Sequence, residues 1–139
     1  MIKEREVVTS FLRHKGRILI LRRSGKVGTF QGRWAGVSGY LEKGDQPVTR
    51  ALKEIEEEVG ITRSDIQLIK MGEPLRVPDK KRSTLWIVHP FLFESDTEAI
   101  RVDWEHGEYR WIDPSALTMY ETVPMLKEAL ERVWVENSQ

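Results

Sequence analysis

The segment KEIEEEVG, residues 53–60, holds Glu54, Glu56, Glu57 and Glu58 within five positions, with Lys53 alongside. On a helix, Glu54, Glu57 and Glu58 stand at i, i+3 and i+4, so their carboxylates are expected to share a sector roughly 100° wide. That sector faces away from Leu52 and Ile55. Like charges at this spacing destabilise a helix by roughly 0.2–0.5 kcal/mol per pair, and Lys53 or Arg50 offsets only part of that. A hard divalent cation would offset far more. Clustered carboxylates, with water and substrate phosphate completing the shell, are what Mg²⁺ prefers. The alternative for these four residues taken alone is a solvated acidic face.

The elements that must position this segment are legible on either side of it. VVTSFLR (7–13) and RILILRR (17–23) are β-type runs separated by a turn at Lys15 and Gly16, which predicts a hairpin. Residues 24–45 contain six glycines, which predicts a shaped loop with a short strand near 34–37. A loop of that length is usually functional. Asp45 is placed to cap a helix that has Pro47 in its first turn and Gly60 as its stop. Val48, Leu52, Ile55 and Val59 recur at the spacing of one buried helical face. Further strands are expected at 66–71, 84–93 and 108–112, and a last amphipathic helix uses Val123, Leu126, Leu130 and Val133. Strands alternating with two helices predict an α/β domain with helices on a mixed sheet.

Composition limits what such a domain can do. The 139 residues are of single-domain length, so one domain over 1–139 is expected. The 22 basic and 22 acidic side chains cancel, leaving no net field to draw the molecule onto nucleic acid or an anionic membrane. An anionic ligand must therefore be held by a local site. No run resembles a secretory leader or a membrane span, so a cytoplasmic protein is expected. The absence of cysteine excludes disulfides, thiolate metal sites and cysteine nucleophiles.

From Gly39 the chain reads GYLEKGDQPVTRALKEIEEEVGI. This resembles the signature of the Nudix hydrolase family, of which MutT-like proteins are members: Gly, five residues, Glu, seven residues, Arg-Glu, an aliphatic, any residue, Glu-Glu, any residue, Gly, an aliphatic. Gly39, Glu54, Ile55, Glu57, Glu58, Gly60 and Ile61 match in register. Asp45 stands where the family has Glu, and Lys53 where it has Arg. The resemblance implies an α/β/α sandwich around a mixed sheet and hydrolysis of a nucleoside diphosphate linked to another group. It also implies Mg²⁺ as cofactor, with Mn²⁺ an alternative, and a small nucleotide or related diphosphate as partner. By position, Glu57 and Glu58 become metal ligands, Glu54 is the base or a further ligand, and Ser38 offers a backbone carbonyl. Glu105, in WEHGEYRW, lies where some relatives bring an extra carboxylate, with Glu108 competing for that role.

The two departures set the open questions. Lys53 offers a point charge where arginine would offer a planar fork for orienting Glu54. Arg50, one turn earlier, could supply that fork or could be an ordinary surface residue. Arg23 and Lys26 could approach phosphates, while Phe30 and Trp34 either stack on a base or anchor the loop. His106 could transfer protons or be an exposed loop histidine, the latter being the reading preferred, and His14 and His89 are read as structural. Two other functions compete with hydrolysis. One is a non-catalytic nucleotide-sensing module, disfavoured by retention of the three glutamates. The other is an isomerase, because RRSGKVGTFQGRW resembles a loop of the isopentenyl diphosphate isomerases; those rely on a cysteine that this chain lacks. Whether the chain pairs as a homodimer stays open.

Overall fold

The computed structural model of the chain describes residues 1–103 and 106–136. Its centre is β1 (Lys3–His14), a strand long enough to be shared by three partners. It runs parallel to β7 (Thr84–Ser95) along its whole length, from Lys3 opposite Thr84 to Arg13 opposite Glu94. Its other edge is divided in two. The end at Arg13 and His14 turns into β2 (Arg17–Arg23), the expected hairpin, while Val7 to Ser10 pair with β4 (Val37–Tyr40). Short β3 (Trp34–Ala35) and β8 (His106–Ile112) flank β2. On the far side, β5 (Ile66–Met71) and β6 (Leu75–Asp79) both pair antiparallel with β7. β6 is not among the strands expected from the sequence, and its Pro78 is tolerated because β6 is an edge strand.

Alternation along the central strands divides the interior into two layers. Val8 and Leu12 of β1, Leu19 and Leu21 of β2, and Phe91 and Phe93 of β7 point to one face. There they meet Ala51, Ile55 and Val59 of α1 (Pro47–Val59). Phe11, Ile18, Ile20 and Leu92 point the other way, onto Leu126, Ala129, Leu130 and Val133 of α2 (Leu126–Val133). The result is helix, mixed sheet, helix, as the α/β expectation required. Val123 lies before α2 rather than within it, although it still packs on that layer. Among the described residues no helix is long and apolar enough to cross a membrane.

The ends of α1 differ in how well they follow expectation. Gly60 takes the left-handed conformation, φ 76°, and its N–H reaches the carbonyl of Glu56 at 3.1 Å, so the stop is where the sequence puts it. The start is corrected. Gln46, not Asp45, occupies the N-cap position, and no side chain caps the helix. Asp45 Oδ2 instead accepts from the backbone N–H of Glu42 at 2.8 Å, closing the turn that precedes the helix.

Candidate active site

Glu54 lies over the loop end of β4, where Gly39 has no side chain to obstruct it. A Cβ on Gly39 would stand 2.6 Å from Glu54 Oε1 and would overlap the rest of the carboxyl group. The glycine that opens the signature is thus required by close approach, not by an unusual backbone angle. Neighbouring Ser38 shares a hydrogen bond of 3.1 Å with the Thr9 hydroxyl of β1, which ties this end of β4 to the central strand.

Arg50 reaches in both directions along the start of α1. Its Nε donates to Asp45 Oδ2 at 2.9 Å and its Nη1 to Glu54 Oε2 at 3.3 Å. The Arg50 guanidinium and then the Glu42 N–H hold the Asp45 carboxyl below the usual carboxylate range, and Asp45 in turn raises the Arg50 pKa. Lys53 is exposed and makes no hydrogen bond or ion pair among the described residues. Of the two cations weighed for the fork, Arg50 is the one that touches Glu54. Both of its partners lie within five residues along the chain, and the helix folds all three onto one side.

The three glutamates do not share one solvent-facing sector. Glu57 is exposed and Glu54 half-buried, but Glu58 is buried, at 2% exposure. Position 58 follows Ile55 by three and Ala51 by seven, so it falls at the rim of the apolar stripe and not opposite it. The chain after β7 covers it: Arg101 N–H bonds the Val59 carbonyl at 2.9 Å and Asp103 N–H the Glu58 carbonyl at 3.1 Å. His106, expected as an exposed loop residue, is buried beside that carboxylate, with Nε2 at 3.8 Å from Glu58 Oε1 and Nδ1 at 3.1 Å from Asp103 Oδ1. Burial lowers the His106 pKa, against the pull of Asp103. Glu105 lies outside the described residues. Its competitor Glu108 pairs with Arg22 at 2.9 Å.

A cavity of about 350 Å³ opens between the sheet and α2, and its polar end meets the site just described. Arg23, Phe30, Ser38, Gly39, Arg50 and Glu54 line it. Arg23 is held by Thr29, whose carbonyl accepts from Nε at 2.9 Å and whose hydroxyl accepts from Nη2 at 3.1 Å. Of the other candidates, Lys26 is exposed and outside the cavity lining. Trp34 is buried in the α2-side core, edge-on to Tyr120 with ring centroids 5.3 Å apart, so the loop-anchor reading describes its position. His14 and His89 bond the Ser95 carbonyl and Glu6 Oε1, both at 2.8 Å. The sequence reading missed the cavity's other end, built by β6, Trp86 of β7 and the start of α2. The nearest signal was the turn-forming run DKKRS between two apolar segments.

Among the described residues, no three His, Asp or Glu side chains converge into a ready-made metal cage. That does not disqualify Mg²⁺, which usually takes one or two protein carboxylates and fills its octahedron with water and substrate phosphate. One exposed carboxylate, one half-buried carboxylate beside a bare glycine and one buried carboxylate, spaced along one helix, suit that partial donor set.

A model of the NUDIX domain matches residues 3–133. The chain belongs to the Nudix family. This Nudix hydrolase is 25% identical over 127 residues to the nucleoside triphosphatase NudI of Salmonella newport, covering 86% of this chain and 89% of that protein. Among solved structures, the MutT NUDIX hydrolase of Burkholderia pseudomallei matches with a TM-score of 0.74 at 25% identity, covering 95% of this chain and 99% of that one. The MutT protein of Methanosarcina mazei Go1 matches with a TM-score of 0.75 at 22% identity, covering 94% and 93%. Its likeness shows that the fold is shared.

Proposed function

We propose that this Nudix hydrolase cleaves a phosphoanhydride bond in a nucleoside di- or triphosphate or a related diphosphate, with Mg²⁺ as the metal. The observation that carries the reading is the Asp45–Arg50–Glu54 chain of contacts at the polar mouth of a ligand-sized cavity. Arg50 orients Glu54, so that the carboxylate presents a defined face to a water attacking phosphorus. Glu57 and Glu58, with Glu54, would hold the metal, and Ser38 would add its carbonyl. When bound, the ion neutralises phosphate oxygens and acidifies a coordinated water. Arg23 stands at the same end of the cavity, where a phosphate chain would lie. The similarity to a nucleoside triphosphatase supports nucleoside triphosphates as the first substrates to examine.

The test is phosphate or pyrophosphate release from nucleoside triphosphates, dinucleoside polyphosphates and nucleotide sugars, with Mg²⁺, with Mn²⁺ and with chelator. Turnover is expected only with metal. Glu57→Gln should weaken metal binding, read by calorimetry, and lower kcat by about tenfold or more, and the exposure of Glu57 keeps the substitution clear of the core. Metal titration unchanged in that variant would remove Glu57 from the ligand set, and no release from any substrate would leave the nucleotide-sensing alternative.

A further inference from the structure

Residues 24–33, which join β2 to β3, carry little support of their own. Val27 is the one buried residue among them, and among the described residues the hydrogen bonds of 25–32 stay within 22–33. A segment with so few buried contacts holds its shape weakly by itself. Yet Thr29 holds Arg23 at two atoms, accepting from Nε through its carbonyl and from Nη2 through its hydroxyl. The placing of Thr29 therefore decides where the Arg23 guanidinium points.

Phe30, the next residue, takes φ 48°, in the left-handed region where a side chain crowds the backbone. Glycine occupies that region without strain, whereas an aromatic residue stays there only where its surroundings hold it. Arg82, in the turn between β6 and β7, supplies such a hold: its guanidinium lies over the Phe30 ring, 4.5 Å from the centroid. That guanidinium is itself fixed. Its Nη1 donates to Asp79 Oδ2 at 3.1 Å, its backbone N–H reaches Asp79 Oδ1 at 3.2 Å, and the indole N–H of Trp86 donates to the same Oδ2 at 3.1 Å. These hydrogen bonds, that of Trp86 first, hold the Asp79 carboxyl below its ordinary range. Support thus runs from β6 and β7 through Asp79 and Arg82 to Phe30, and one peptide further to Thr29 and Arg23.

We propose that Arg82 is a positioning residue for the phosphate chain of the substrate: it pins the Phe30 ring, and through the Phe30–Thr29 peptide it sets the guanidinium of Arg23. This rests on the reading of Arg23 given above and adds to it a residue that does not line the cavity. Without Arg82 the left-handed Phe30 loses its hold, and residues 24–33 spend less time with Thr29 on Arg23. Apparent affinity for phosphates falls with the fraction of molecules that keep Arg23 in place. A plain loss of positive charge would act differently, because Lys81 carries the same charge in the same turn, is exposed and makes no ion pair among the described residues.

The experiment measures calorimetric affinity for imidodiphosphate, a non-hydrolysable diphosphate, in the presence of Mg²⁺ at about 0.15 M salt, where distant exposed charges are largely screened. The probe has no base, so direct contacts of the Phe30 ring with a nucleobase do not enter. Arg82→Ala and Phe30→Leu should each weaken binding by about 3- to 30-fold, the range of a cation–π contact. Arg82→Lys and Phe30→Tyr, which keep a cation and a ring, should retain most of the affinity, and Lys81→Ala should change it by less than about twofold. Arg23→Ala should lose about 10- to 100-fold, and adding Arg82→Ala to it should cost nothing more. On an accepted nucleotide, Arg82→Ala should divide its loss between kcat and KM in the proportion seen for Arg23→Ala. Thermal melting of each variant identifies any that fails to fold, and the two Phe30 variants test the same contact from the loop side. Phe30→Leu binding like wild type, equal losses in Arg82→Ala and Lys81→Ala, or losses that add in the Arg23→Ala background would overturn the proposal. If Arg23→Ala itself binds like wild type, the placing of phosphate at Arg23 falls and the proposal with it. The full binding pattern without turnover on any nucleotide would count against hydrolysis and leave the role of Arg82 standing.

Discussion

Arg50 and Lys53 carry the same charge three positions apart, and only one of them reaches Glu54. Because Arg50 donates to Asp45 through Nε and to Glu54 through Nη1, two positions of its planar guanidinium are used, a geometry that the point charge of a lysine does not fix. Asp45 is a methylene shorter than the glutamate of the family signature, and its cation sits on the helix turn closer to it. Hydrogen bonds to charged groups contribute about 1.5–3 kcal/mol, so Arg50→Ala should lower kcat by about 10- to 100-fold, with the smaller share in KM. Lys53→Arg should be nearly silent. Steady-state kinetics on any accepted nucleotide check both, and a rise in kcat for Lys53→Arg would return the orienting role to position 53.

At the scale of elements, the site depends on how closely α1 lies against β4. Gly39 allows this by offering no side chain, and the carboxyl group of Glu54 fills the space. Gly39→Ala must displace Glu54 or lift the start of α1, and displacing the half-buried side chain is the easier of the two. The expected outcome is a loss of kcat of about a hundredfold or more, from a reacting group moved by an ångström or so. The far-ultraviolet spectrum should be unchanged, because Gly39 holds an ordinary strand conformation that alanine can adopt. A variant with normal turnover would mean that Glu54 does not act from the position seen.

The whole molecule contributes the cavity, which exists only because α2 is held against the second face of the sheet. Arg13, at 3% exposure, is central to that attachment. From the end of β1 it bonds Glu94 of β7 at 2.7 Å, donates to the Val135 carbonyl beyond α2 and lies over the Trp134 ring at 5.1 Å. Glu94 is partly exposed but Arg13 is not, so removing Arg13 costs more than breaking a surface pair. Arg13→Ala should therefore lower the urea midpoint markedly. It should also weaken nucleotide binding, although Arg13 is absent from the cavity lining, because Leu126 and Ala129 lose their support. Denaturation followed by tryptophan fluorescence, beside calorimetric titration, checks both effects, and reduced stability with undiminished affinity would separate the α2 wall from the binding site.

What the sequence by itself determined was local and periodic. The spacing from Gly39 to Ile61, the Pro47 and Gly60 limits of α1 and the β-type runs all follow from preferences acting within a few residues, and each is found in the structure. Which carboxylates face solvent was decided elsewhere. Glu58 lies a turn beyond Ile55, and it is buried because residues 101–103 cross the end of the helix and His106 closes beside it, contacts between residues more than forty positions apart. The choice of Arg50 over Lys53 needed the turn at 42–45 to bring Asp45 alongside the helix. The apolar end of the cavity joins β6, β7 and α2, no two of which look like a binding site on their own. Helical and strand periods report which face of an element is buried. They do not say what another part of the chain will place against it, and that is settled only when the layers pack.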